Sequence, residues 1–160
     1  MYDQPTPLTT TRRLWAGVLG GLVVIAVIVL VLADAEPDVP AILPAALVAA
    51  AGVAAIVGVE AVDRTFGAAP PEHDRAALTE YRVRFFLQVA IIEAPVLLAV
   101  ALAFVLGPGW IVTVGILAAI VAMLRVRPTM ARLRRFDATW QAAGHDVSLE
   151  RALRTGPDEP

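Results

Sequence analysis

Four apolar stretches dominate this chain, at about residues 14–33, 41–62, 85–106 and 110–127. Each is close to the roughly 20 residues that a helix needs to cross the hydrocarbon core of a bilayer. Lipid offers the backbone no hydrogen-bond partners, so each stretch predicts a helix. The expected fold class is all-α, a polytopic membrane protein with four transmembrane helices and a short amphipathic C-terminal helix.

The charges predict the topology. All thirteen basic residues are Arg, at Arg12, Arg13, Arg64, Arg75, Arg82, Arg84 and then from Arg125 to Arg154. The gaps at residues 34–40 and 107–109 contain none. Basic residues gather in cytoplasmic loops, and acidic ones contribute little to orientation. Both termini are therefore expected on the cytoplasmic side of a bacterial inner membrane. Trp15, at the start of the first stretch, occupies an interfacial aromatic position.

The first stretch has two readings. Arg12-Arg13, an apolar run and Ala33-Asp34-Ala35 imitate a secretory signal with cleavage at Ala35. Signal cores run to about 7–15 residues and this one is longer, so an uncleaved anchor is the expectation.

Composition excludes several chemistries. The chain has 160 residues, of which 58% are hydrophobic, above the roughly 45–50% of soluble domains. It has no Cys, which removes disulfides and thiol nucleophiles. Its two His, His73 and His145, lie in different loops. No metal site, cofactor motif, catalytic triad or glycine-rich phosphate loop is evident, so no enzyme activity is expected. The Arg-rich C-terminal segment is explained by topology, without nucleic acid as a partner.

Helix association in lipid depends on close backbone approach. Gly17 and Gly21 are four apart, as are Ala50, Ala54 and Gly58. These two small faces are expected to be protein-facing, most simply against one another.

Glu93 is the most informative single residue. A carboxylate inside a span is costly and marks a functional or paired site. Pro95 removes a backbone donor nearby and frees the carbonyl of Ile91, which predicts a kink. Folding the last two stretches about Pro108 brings Glu93 level with Met123, close to Arg125. A Glu93–Arg125 pair is therefore expected, with Gln88 adding a polar contact. Glu60 is expected to pair with Arg64 at i, i+4.

Residues 1–127 read as the membrane domain and 128–160 as a cytoplasmic tail. Within the tail, residues 129–142 place Met130, Leu133, Phe136 or Asp137, and Trp140 at spacings of three or four along one helix face. That pattern suits a helix lying on an anionic leaflet. Gly144 is a helix stop, and Asp146 or Ser148 is placed to cap a second short helix. Glu72 to Arg84 predicts a helix leading into the third span.

Arg84-Phe85-Phe86-Leu87, Glu93-Ala94-Pro95, Trp110, Arg127-Pro128-Thr129 and Ser148-Leu149 resemble small uncharacterised four-span membrane proteins of actinobacteria. The resemblance covers about residues 80–155. It implies a multi-pass membrane protein and carries no activity with it. The expected role is a non-catalytic accessory or scaffold subunit. Its partners would be the bilayer and another membrane protein or a second copy. The alternative is a small oligomer conducting protons or ions through Glu93.

Overall fold

A computed structural model describes residues 7–32, 40, 42–68, 70–106 and 108–155. The acidic loop at residues 34–39, the cleavage position Ala35 and the terminal segment 156–160 lie outside the described residues. The described chain forms six helices and no strand: α1 (Pro7–Leu32), α2 (Ile42–Ala68), α3 (Asp74–Leu106), α4 (Ile111–Val126), α5 (Met130–Ala142) and α6 (Leu149–Thr155).

Three helices, α1 to α3, are long and apolar enough to cross a membrane. α4 has 16 residues, about 24 Å, less than the roughly 30 Å of hydrocarbon. It joins α5 at a bend of 55°, and the two together make a fourth candidate span. The bend has a local cause. Arg127 precedes Pro128, which pushes it out of helical geometry to φ −50°, ψ 129°. Thr129 then caps α5 by accepting a hydrogen bond from the backbone N–H of Arg132 at 3.3 Å.

α3 has 33 residues, about 50 Å, so about 20 Å of it exceeds a bilayer core. It begins at Asp74 and runs unbroken through Pro95 into the third apolar stretch. The predicted helix before the third span is therefore its direct continuation.

The bundle core consists of α2, α3 and α4 with α1 leaning on α4 and α3. Close approach happens at Gly115 and Gly52. A Cβ on Gly115 would lie 2.9 Å from the Pro95 carbonyl oxygen and 3.0 Å from the Ala99 methyl. A Cβ on Gly52 would lie 2.5 Å from the Ala118 methyl. Absent side chains let these backbones touch, which is how helices associate where the hydrophobic effect is weak.

This corrects the expected packing. α1 makes no contact with α2 among the described residues. A Cβ at Gly17, Gly20 or Gly21 would meet nothing within 4 Å, and Ala50 and Ala54 are exposed. Of the expected glycines only Gly58 faces a neighbour, where an added Cβ would lie 3.4 Å from the Ile91 side chain. Spacing identified small faces, but whole-bundle shape decided which ones turned inward.

α1 is instead tied to α4 at one end. The Trp15 indole donates to the Met123 carbonyl at 3.0 Å, and the Arg127 guanidinium lies 5.8 Å from the Trp15 ring centre.

A second core sits beyond the bundle. Leu133, Phe136 and Trp140 of α5 pack with Val147, Leu149 and Leu153 against Ala77, Leu78 and Tyr81 of α3 and Phe66 of α2. The apolar face of α5 is thus buried in protein, not laid on a lipid surface as the amphipathic pattern suggested. The segment at 128–155 also packs on the membrane domain, since Ala77, Leu78 and Tyr81 of α3 and Phe66 of α2 complete its core. Burial against a ready protein surface competes with burial in lipid, and the protruding end of α3 supplies that surface.

Asp137 fixes α6 to this headpiece. Its carboxylate accepts from the backbone N–H of Leu149 at 2.7 Å, that of Glu150 at 3.2 Å and the Ser148 hydroxyl at 2.9 Å. Ser148 accepts from the N–H of Arg151 at 3.1 Å, as the capping expectation had it. Gly144, at φ +86°, ends α5 in the left-handed region that glycine tolerates.

Candidate polar junction between bundle and headpiece

Asp63 joins the two cores. It stands near the end of α2, where two other elements, α3 and α5, converge on it. Arg84 of α3 and Arg132 of α5 each donate a guanidinium N–H to its carboxylate. Gln88 of α3 donates its amide to the same carboxylate and, at 3.1 Å, to the Val59 carbonyl. One carboxylate therefore holds α2, α3 and α5 together.

Arg84 is the most enclosed charge, only 4% exposed. Its guanidinium carbon lies 4.8 Å from the Phe66 ring centre, 4.6 Å from that of Phe136 and 5.6 Å from that of Tyr81. Phe66 and Phe136 themselves meet edge to face at 5.0 Å. Nε and Nη1 of Arg84 have no hydrogen-bond partner among the described residues. Orphaned N–H groups are costly. The ring faces offset part of that cost through cation–π attraction, which is stronger in desolvated sites. A planar guanidinium suits this slot where an ammonium would not.

The residues singled out from sequence are distributed differently. Arg125 pairs with Glu60 across α2 and α4. The expected Glu93–Arg125 pair is absent, and so is the expected Glu60–Arg64 pair. Glu93 is half-buried and makes no ion pair or hydrogen bond among the described residues. Gln88 is 1% exposed but serves Asp63, five residues and about 7.5 Å along α3 from Glu93.

The physical reason is rotation. Folding about Pro108 set the heights of Glu93 and Arg125 but not their azimuths. The inner face of α4 is Ala119, Ala122, Met123 and Val126. Arg125 lies off that face, on the α2 side.

The chain also folds back on itself across the loop at 63–84. Asp63 and Arg84 flank that loop at the ends of consecutive apolar stretches, a signal readable from sequence. The cage of Phe66, Tyr81 and Phe136 comes from three elements and has no such signature.

Chemically, the junction is a fixed ion network. No group of three or more His, Asp or Glu suited to a metal ion occurs among the described residues. A larger cleft opens beside it between α2, α4 and α5, about 930 Å³ in volume and lined by several Arg.

The fold and this junction define an all-helical protein with three to four candidate membrane spans and a helical headpiece locked to one end. Comparison with protein-family models, with curated proteins and with solved structures finds no match for the chain.

Proposed function

We propose that this is a four-span protein of the bacterial inner membrane with both ends cytoplasmic, acting without catalysis as an accessory or scaffold subunit. The fourth span is α4, extended by the turn at 108–110 and closed by the bend before α5. The Arg distribution supports the orientation. The helix ends that carry Arg are tied to one another by Trp15–Met123, Asp63–Arg84, Glu60–Arg125 and Asp63–Arg132. A side carrying thirteen Arg is the cytoplasmic side by the positive-inside rule. Because the chain lacks Cys, a single Thr139→Cys reports sidedness. In intact cells it should stay unlabelled by an impermeant maleimide until the membrane is opened. Labelling from outside would reverse the orientation.

One observation carries the scaffold reading. On the glycine face of α1, a Cβ added at Gly17, Gly20 or Gly21 would meet nothing within 4 Å among the described residues. The surface beside Gly17 is open and lined by Arg13, Leu14 and Val18 of α1 itself. In lipid such a face is where a further helix packs closely. A photo-crosslinking side chain at Gly17 or Gly21 should yield a discrete protein adduct in native membranes, and one at lipid-facing Leu117 should not. Adducts to lipid alone at all three positions would sink the scaffold reading.

A second reading rests on Glu93. A carboxylate without an ion-pair partner in a candidate span is what a proton or cation path requires. Proteoliposome flux that Glu93→Gln abolishes would establish conduction; absence of flux in the wild type would remove it.

A further inference from the structure

We propose that the cleft between α2, α4 and α5 binds the phosphate of an anionic phospholipid headgroup. The inference rests on the membrane reading above and adds a ligand class to it.

The charge balance of the cleft is the first argument. Five guanidiniums line it against two carboxylates, a net charge of +3. Both carboxylates are already engaged, Glu60 by Arg125 and Asp63 by Arg132 and Arg84. That leaves Arg64, Arg127 and Arg135 facing one cleft with no carboxylate partner among the described residues. Three like charges around a concave wall repel, and an anion between them removes the repulsion. Guanidinium pairs phosphate oxygens through two parallel N–H bonds, so phosphate is the anion that this lining matches.

The walls supply the second argument. Val59 and Leu124 contribute apolar lining. Above them, exposed Val53 and Val57 continue the α2 stripe that leads to Glu60 and Arg64. Exposed Leu117 and Val121 continue the α4 stripe that leads to Leu124. An apolar track therefore enters the cleft from the side of the candidate spans. A diacylglycerol tail uses such a track and a soluble phosphate ester does not. The volume, about 930 Å³, suits a headgroup with its glycerol backbone. Basic pockets between helices at the cytoplasmic interface are where anionic lipids are recognised.

The test is native mass spectrometry of the full chain released from nanodiscs of phosphatidylcholine doped with phosphatidylglycerol. Wild type should retain one phosphatidylglycerol in preference to phosphatidylcholine. Arg64→Gln with Arg135→Gln should weaken phosphatidylglycerol retention by about thirty-fold, the loss expected for two headgroup-contacting Arg. Both side chains are exposed and unpaired, so folding should be untouched. Arg12→Gln with Arg75→Gln removes the same charge outside the cleft and should change nothing.

Equal retention of the two lipids by wild type overturns the proposal, whatever the variants do. So does an equal loss in the control variant, which would reduce the effect to net charge. Displacement of the bound lipid by glycerol 3-phosphate at equal concentration would assign the phosphate site to a soluble ester and overturn the lipid assignment. A chain that fails to enter nanodiscs fails the membrane reading first, before any selectivity is measured.

Discussion

Replacing Asp63 with Asn should destabilise this protein far more than removing the Arg84 that it pairs with. Asp63→Asn leaves Arg84, 4% exposed, without a counter-charge. Removing one partner of a buried pair costs about 3–5 kcal/mol. Asn retains one acceptor oxygen for Gln88 or Arg84, which places the expectation near the lower end, about 3 kcal/mol. Arg84→Met behaves differently. Asp63 keeps Arg132, so no carboxylate is stranded. Met refills most of the volume between Phe66 and Phe136, and its sulfur suits an aromatic slot. What is lost is the cation–π attraction, about 2 kcal/mol in a desolvated site. Relief of the unpaired Nε and Nη1 returns about 1 kcal/mol of it. The net expectation is about 1 kcal/mol. The two variants should therefore differ by about 2 kcal/mol, a factor of about thirty in the folded ratio. The double variant should recover much of the Asp63→Asn loss, because the more buried of the two stranded guanidiniums is gone and only Arg132 is left without its carboxylate. The assay is reversible unfolding in mixed micelles, followed by fluorescence. Trp140 is buried in the headpiece core and reports its opening. Arg84→Met at least as damaging as Asp63→Asn would refute the reasoning, as would a double variant with additive losses.

The remaining predictions test the packing and the headpiece separately. Gly115→Ala should cost about 1–3 kcal/mol by overpacking, since its methyl would press on the Pro95 carbonyl. Gly17→Ala should leave unfolding unchanged because that face is open. Equal losses in the two would contradict the interior assigned to α4. Asp137→Ala should cost about 1–2 kcal/mol by uncapping α6, seen as faster amide exchange at Leu149 and Glu150 while the bundle amides keep their protection. Acid should loosen the same helix. The hydrogen bond from Arg134 holds the Glu150 carboxyl below its ordinary value of 4.5. That support is complete above the ordinary value and is lost as pH falls toward the lowered one. The protection of α6 amides, measured against the intrinsic exchange rate at each pH, should therefore fall below about pH 4.5 in wild type and show no such step in Glu150→Gln. About 1 M salt, with a Debye length near 3 Å, should flatten the step, because the pair is open to solvent.

Particular residues show where sequence reasoning reached and where it stopped. The Pro128 break, the Gly144 stop and the Ser148 cap were readable because each is a local backbone constraint. Height along the hairpin pairs Glu93 with Arg125, and the structure gives Arg125 to Glu60 instead. The apolar face of α5 was visible in its spacing, but not what would cover it. Small faces on α1 and α2 look equivalent in sequence, yet α1 turns its glycines outward, and α2 exposes Ala50 and Ala54 while turning Gly52, off the expected face, inward.

By itself the sequence determined that this chain is helical, that three or four helices are long and apolar enough for a bilayer, and that the Arg residues cluster at their ends. Those properties follow from composition over about 20 residues at a time, where local hydrogen bonding and burial dominate. Only the tertiary structure decided the rotation of each helix about its axis. That rotation assembled Asp63, Arg84 and Arg132 from three elements, closed Phe66, Tyr81 and Phe136 around one guanidinium, and left Arg64, Arg127 and Arg135 facing a shared cleft. Helical periodicity says which residues share a face, and packing among all the helices says which way that face points.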